Sequence, residues 1–235
     1  DPFASGLLPL CLGEATKAAR YLLLEEKSYR GPIQLGTATD TLDRTGETLA
    51  EAPVPPLDQG RLATLAKGFT GPQTQVPPMY SALKRDGVPL YKLARRGIEV
   101  ERPARAICVH ALELRARGDG QIDFDVRCTK GTYVRVLAAD IATALGTIGH
   151  LSVLRRTAVG SFRVEDAHAA DDLRQGEGIL PLLGLRAALV GLRTFEVTDA
   201  VLQSLARGQQ QSLRDLPIAA RPEDLWLAPP ECVGR

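Results

Sequence analysis

Leu7, Leu8, Leu10 and Leu12 crowd a short apolar run that predicts a buried strand over 7–12, and Gly13 with Glu14 opens a helical pattern reaching about Leu24. A strand over about 27–35, carrying Tyr29, stops at Gly36 and gives way to a polar loop, 37–46, rich in Thr, Asp and Gly. A second helix is marked by Asp58 as N-cap and by Leu62, Leu65, Ala66 and Phe69 at i, i+3, i+4 and i+7, with Gly71 and Pro72 as its stop. From 71 to 104, Pro72, Pro77, Pro78, Pro89 and Pro103 surround a short helix that Pro89 starts and Gly97 ends, an arm projecting from the core over about 78–105. The runs 107–117 and 121–128 flank Gly118-Asp119-Gly120 as a hairpin, in which Ile122, Phe124, Val126 and Cys128 alternate with Asp123, Asp125 and Arg127. Val134, Leu137, Ala138 and Ile141 then form a helical stripe ended by Gly146, a strand is expected through 151–162, and 194–208 gives one more strand and helix. Hairpins and single helices without regular βαβ alternation predict an α+β fold, a mostly antiparallel mixed sheet flanked by helices.

Composition narrows the class. With 235 residues, 44% hydrophobic and 24% charged, the chain is long enough for one sizeable core. We expect a main domain over 1–190 and a small segment over 191–235, too short to be stable alone. No run approaches the roughly 18 apolar residues of a membrane span and no secretory pattern opens the chain, so a soluble, cytoplasmic protein is expected. A first residue of Asp followed by Pro leads us to expect that an upstream segment is missing. Cys11, Cys108, Cys128 and Cys232 form no CxxC pair, and His110, His150 and His168 are scattered, so neither a disulfide framework nor a metal site is expected. Net charge is only +1, yet 84–105 carries seven basic residues against three acidic ones, a local +4. On charge alone that stretch fits a solvated arm as well as an RNA-binding one.

The candidate chemistry sits in motifs. The opening DPFASGLLPLCLGEATK (1–17) resembles the LDPxATGxLxxxxGxATK signature of TruB-type pseudouridine synthases. In order along the chain, Lys27-Ser28-Tyr29 resembles that family's KxY strand, 36–46 its GxxTDTxDxxG loop, and 79–84 its YSALK segment. Lys130-Gly131-Thr132-Tyr133-Val134-Arg135 then resembles KGTYIR, and 149–156 GHxxxLRR. The resemblance spans nearly the whole chain to Phe162.

It implies isomerisation of a uridine in the T arm of tRNA, position 55, without metal or organic cofactor, by a monomer that needs no protein partner. Matched position by position, it makes Asp1 the catalytic aspartate and Arg135 its ion-pair partner, has Tyr29 and Tyr133 line the uracil pocket and packs Leu154 on the base. Lys17, Asp40, Lys130, Arg155 and Arg156 are further substrate contacts by the same matching.

The chemistry fits these types. Breaking the C1′–N1 bond, turning the base and joining C5 to C1′ calls for a carboxylate that is nucleophilic or charge-stabilising. A guanidinium keeps such a carboxylate ionised and aimed. Tyr29 offers a ring to stack on the extruded uracil and a hydroxyl for removal of the C5 proton. Taken alone, Tyr133 could instead buttress Arg135, Leu154 could be a core leucine, and Arg155 with Arg156 could be surface charges. The arm, in the family an insertion that closes over the RNA loop, is the natural clamp for a flipped-out base. The family's upstream KPxGxTS and HxG segments are not in this sequence, and 194–208 resembles only the start of a PUA-type RNA-binding domain. The competing readings are a guide-dependent H/ACA-type synthase subunit and a non-catalytic tRNA-folding module.

Overall fold

A computed structural model of the chain describes residues 2–175, 182–190, 192 and 197–210. The chain runs through β1 (Ser5–Gly6), a 3-10 segment (Gly13–Ala18), α1 (Ala19–Leu24), β2 (Lys27–Leu35), β3 (Thr37–Thr39) and β4 (Thr48–Glu51). There follow α2 (Gln59–Gly68), β5 (Gly71–Gln75), β6 (Lys84–Arg85), β7 (Val88–Pro89) and α3 (Leu90–Ala94). β8 (Arg105–Gly118), β9 (Gln121–Cys128), α4 (Val134–Ala144), β10 (Gly149–Leu151), β11 (Arg155–Val159) and β12 (Phe162–Arg163) complete the sheet-bearing part, before α5 (Ala170–Gln175) and α6 (Asp199–Ala206).

Among the described residues the main sheet has the order β1-β11-β2-β9-β8-β5, with β10 also on β2 and β12 on β11. Its pairings are antiparallel except β1 with β11, which confirms the α+β class and the mostly antiparallel sheet. Alternation decides its faces. Ile33 opposes Ile122 and Gly31 opposes Phe124, and this face packs with Leu62 of α2 and Leu137 and Ile141 of α4 in one buried cluster. The intervening residues, Ser28 opposite Arg127 and Arg30 opposite Asp125, form the other, wetter face.

Most expected elements are in place. β2 occupies 27–35, β8 and β9 form the hairpin, and the Asp58 carboxylate caps α2 by accepting from the Arg61 N–H at 2.8 Å. α2 ends at Gly68, ahead of Gly71 and Pro72 as expected, and these two begin β5, an edge strand, where a residue without an N–H is tolerated. The arm is a two-strand hairpin, β6 with β7, followed by α3 with Pro89 as its N-cap.

Three expectations need correction. The run 7–12 is not a buried strand: Leu7 alone of its leucines is buried, Leu8, Leu10 and Leu12 are exposed, and the strand lies at Ser5–Gly6. That edge is held by the Ser5 N–H to the Leu154 carbonyl and the Leu7 N–H to the Arg156 carbonyl, both at 2.9 Å, after which Pro9 has no donor to continue it. The helix expected over 13–24 is a 3-10 segment joined to α1. The strand expected through 151–162 is broken into β10, β11 and β12. Leu151 pairs with Ile33 and Arg155 with Arg30, so three residues, 152–154, face two of β2. They fit because Gly31 has no side chain: a Cβ there would stand 2.1 Å from the Val153 carbonyl oxygen. Of the strand and helix expected over 194–208, the helix is α6, capped by the Thr198 hydroxyl, and residues 193–196 lie outside the described set.

Gly31→Ala is therefore expected to push the 152–154 turn off β2 and to cost about 1–3 kcal/mol, as overpacking does. Urea unfolding measures this; a variant as stable as the parent would show that the turn has room to move.

Candidate active site

One cavity of about 390 Å³ gathers side chains from four separate stretches of chain. Tyr29 comes from β2, Tyr133 and Arg135 from the start of α4, Leu154 from the turn before β11, Arg156 from β11, and 4–8 close one side. The sheet register explains the meeting. Arg156 stands opposite Tyr29 on β11, and Leu154, 4% exposed, follows the turn that Gly31 admits. The chain next to Asp1 is anchored by Phe3, which packs against the core with the Arg44 guanidinium 5.8 Å from its ring centre. Asp1 itself lies outside the described residues.

Arg135 is 8% exposed. Its Nη1 donates to the Thr41 carbonyl at 2.7 Å and to Asp43 Oδ2 at 3.1 Å, and its Nη2 donates to the Tyr80 carbonyl at 2.9 Å. Asp43, 2% exposed, accepts on Oδ1 from the Thr41 hydroxyl and the Thr45 N–H, both at 2.9 Å, and from the Thr45 hydroxyl. Burying two charges is tolerable only when their remaining hydrogen-bonding capacity is filled in this way. The loop that holds Asp43 is knitted to β10: the Leu151 N–H donates to Leu42 and the Arg44 N–H donates to Leu151. These bonds hold Leu42 at φ 62°, a conformation that few residues other than glycine adopt.

Tyr29 is half-buried, and that burial pushes its hydroxyl above the usual phenol range; the Cys128 thiol adds to the shift and the Arg156 guanidinium opposes it. The ring therefore enters the cavity as a neutral phenol at physiological pH. Arg156 is itself fixed, its Nε donating to the Leu7 carbonyl at 2.7 Å. Cys128 is buried with its thiol pushed up to about 11, chiefly by desolvation, which keeps it protonated and unreactive.

Four of the sequence-predicted contacts do not line the cavity. Lys17 is exposed and paired with Glu14, and Lys130 is exposed in the loop before α4. Asp40 accepts from the Glu47 N–H at 2.9 Å and hydrogen-bonds the Tyr80 hydroxyl, raising that phenol, so it belongs to the root of the arm. Arg155 alternates with Arg156 and points to the opposite face of the sheet, across from Arg30. A wider hollow of about 540 Å³ between Glu25, Ser28, Arg127 and Glu165 contains none of the predicted residues. Among the described residues no three His, Cys, Asp or Glu side chains are grouped to hold a metal ion.

Sequence reasoning missed Asp43 and Gln75. Gln75 is 6% exposed and bonds the main chain of Tyr133 with both ends of its carboxamide. Asp43 is the second aspartate of the matched loop 36–46 and Thr41 and Thr45 mark it as a local turn cap, but nothing in the spacing pointed to a partner 92 residues away.

Residues 1–134 match the family model described as the N-terminal domain of TruB family pseudouridylate synthases, and 135–178 match the C-terminal domain of tRNA pseudouridylate synthase B. The tRNA pseudouridine synthase B of Psychrobacter cryohalolentis is 56% identical over 74% of this chain and 48% of its own length. That of Chromohalobacter salexigens is 42% identical over 94% of this chain and 73% of its own. The chain spans about half the length of several of the curated relatives it matches. In a solved Cbf5–Nop10–Gar1 complex, a chain 28% identical superposes with a TM-score of 0.51, over 69% of this chain and 39% of that one.

Asp43→Ala removes the buried carboxylate from Arg135 and the acceptor from Thr41 and Thr45, and is expected to cost about 3–5 kcal/mol in urea unfolding. A loss below about 1 kcal/mol would put the pair in the class of surface bridges.

Proposed function

The chain belongs to the TruB family of pseudouridylate synthases, and we propose that it isomerises a uridine in the T arm of tRNA, position 55, to pseudouridine. The observation that carries this reading is the convergence of Tyr29, Tyr133, Arg135 and Leu154 on one cavity whose size suits a single extruded nucleoside. Flipping the base costs a few kcal/mol, offset by stacking on the two rings and by backbone contacts. The +4 arm supplies those contacts to phosphate, with release of condensed counterions.

Within the cavity Asp1 supplies the carboxylate that acts on the sugar or ring, and the Arg135 guanidinium keeps it ionised and aimed. Leu154 and the ring of Tyr133 keep the freed uracil in its plane while it turns, since packing against an alkyl group and a ring face is too weakly directional to resist rotation. Tyr29 stacks on the base and takes part in removing the C5 proton. Because its hydroxyl is held neutral by burial, it accepts the C5 proton only as it hands its own proton to solvent water, and the Arg156 guanidinium beside it stabilises the negative charge that develops on the phenol oxygen during that relay. Arg156 sits where a substrate phosphate or the base can be met, whereas Lys17, Lys130 and Asp40 would act on RNA outside the cavity. The 191–235 segment is assigned additional RNA contacts.

The protein is proposed to act as a cytoplasmic monomer without guide RNA or protein partner. Relatives at 42–56% identity bear the name of the tRNA enzyme, which favours action on tRNA over the guide-dependent reading.

Release of tritium from unmodified tRNA carrying 5-tritiated uridine tests the proposal. One tritium per tRNA is expected without guide RNA, and none when the T-arm uridine is replaced; release that depends on added guide RNA would assign the chain to the other class. Asp1→Asn in the full chain is expected to abolish release while tRNA affinity stays within a few-fold, and turnover within about tenfold of the parent would remove Asp1 from the chemistry.

A further inference from the structure

Gln75 is the last residue of β5 and the last residue of the main sheet before the arm. Its Oε1 accepts the Tyr133 N–H at 2.8 Å and its Nε2 donates to the Tyr133 carbonyl at 3.2 Å, across 58 residues of sequence. Tyr133 is the N-cap of α4, its backbone extended at φ −92° and ψ 101°, with no side-chain cap of its own. The carboxamide therefore does for Tyr133 what a neighbouring strand would do, meeting a donor and an acceptor of one residue at once. Few side chains can. Glutamate has no proton to give the carbonyl, and methionine fills the space with neither group.

The five residues beyond Gln75 are held as well. Pro77 and Pro78, both buried, fix the backbone, and the Tyr80 carbonyl accepts from Arg135 Nη2 at 2.9 Å. The root of the arm, 75–80, is thus fastened at both ends to 133–135: at one end a side chain of the root grips the Tyr133 backbone, and at the other a side chain of α4 grips the Tyr80 backbone.

We propose that Gln75 is a positioning residue for the reaction: it sets the Tyr133 main chain, and with it the ring that walls the cavity and the turn that carries Arg135, and it couples that geometry to the arm. This rests on the function proposed above. Gln75 touches no substrate; it acts through Tyr133.

The test uses Gln75→Met and Gln75→Glu in the full chain, with single-turnover tritium release at saturating enzyme, tRNA dissociation constants and melting temperatures. Gln75→Met is expected to lower the single-turnover rate by about 10- to 100-fold, the scale of a misplaced positioning group, with the tRNA dissociation constant within about twofold. Gln75→Glu supplies a readout that a purely structural role does not move. A protonated carboxyl offers one donor and one acceptor, as the amide does, and burial raises its pKa, so the ratio of variant to parent rate should climb as pH falls from about 8 to about 5.5. Should Gln75→Met fail to fold, this pH ratio carries the test.

Rates within about twofold of the parent in folded Gln75→Met, or a Gln75→Glu profile parallel to the parent's, would overturn the proposal. A parent that releases no tritium from T-arm RNA removes the functional reading and this proposal with it, whereas an active parent with unaffected variants removes this proposal alone.

Discussion

A single guanidinium, that of Arg135, joins the parts of the site that the chain brings from far apart. It is buried in the first turn of α4, and it donates to the loop at Thr41 and Asp43 and to the root of the arm at Tyr80. A permanently charged, planar fork can satisfy acceptors in several directions at once, which an ammonium on a flexible stem does less well. The carboxylate of Asp43 balances its charge, and Thr41 and Thr45 fill the rest of that carboxylate's capacity. The loop that carries Asp43 is in turn fixed to β10 through Leu151, and so to the sheet.

The sheet supplies the other half of the site. Because β11 pairs with β2 in the register that sets Arg156 opposite Tyr29, the cavity has a cation beside a phenol, and Arg155, one residue away, is sent to the far face. Gly31 has a comparable effect by absence, since its bare Cα lets the 152–154 turn lie on β2 and lowers Leu154 into the cavity. Both are consequences of strand register and close approach rather than of any local propensity. The arm begins where β5 leaves the sheet, so the basic residues proposed to meet RNA and the order at Tyr133 and Arg135 are connected through only a few residues of chain.

Local patterns in the sequence were enough for β2, α2, α4 and the β8–β9 hairpin, because period-2 and period-3.6 apolar spacing, an Asp cap and glycine turns act within a few residues of each other. The leucines of 7–12 misled for a physical reason: apolar composition predicts burial, yet the strand pairing ends at Leu7, ahead of Pro9, and Leu8, Leu10 and Leu12 stand exposed beyond it. The break after Leu151 escaped because it is dictated by a glycine on another strand. Tyr29, Tyr133, Arg135, Leu154 and Arg156 were found through motif resemblance and do meet in space, while Arg155 was grouped with Arg156 although strand alternation separates them. Asp43 and Gln75 carry side-chain bonds spanning 92 and 58 residues, and no local rule reaches that far.

The central claim is that the planar fork of Arg135, and not its charge alone, organises the site. Arg135→Lys keeps the charge and removes the fork, and the decisive measurement is its single-turnover rate of pseudouridine formation at saturating enzyme, alongside tRNA affinity and the circular dichroism of the folded protein. The account predicts a rate lowered by about 10²-fold or more with affinity within a few-fold and a folded spectrum. An unchanged single-turnover rate in the folded variant would contradict it.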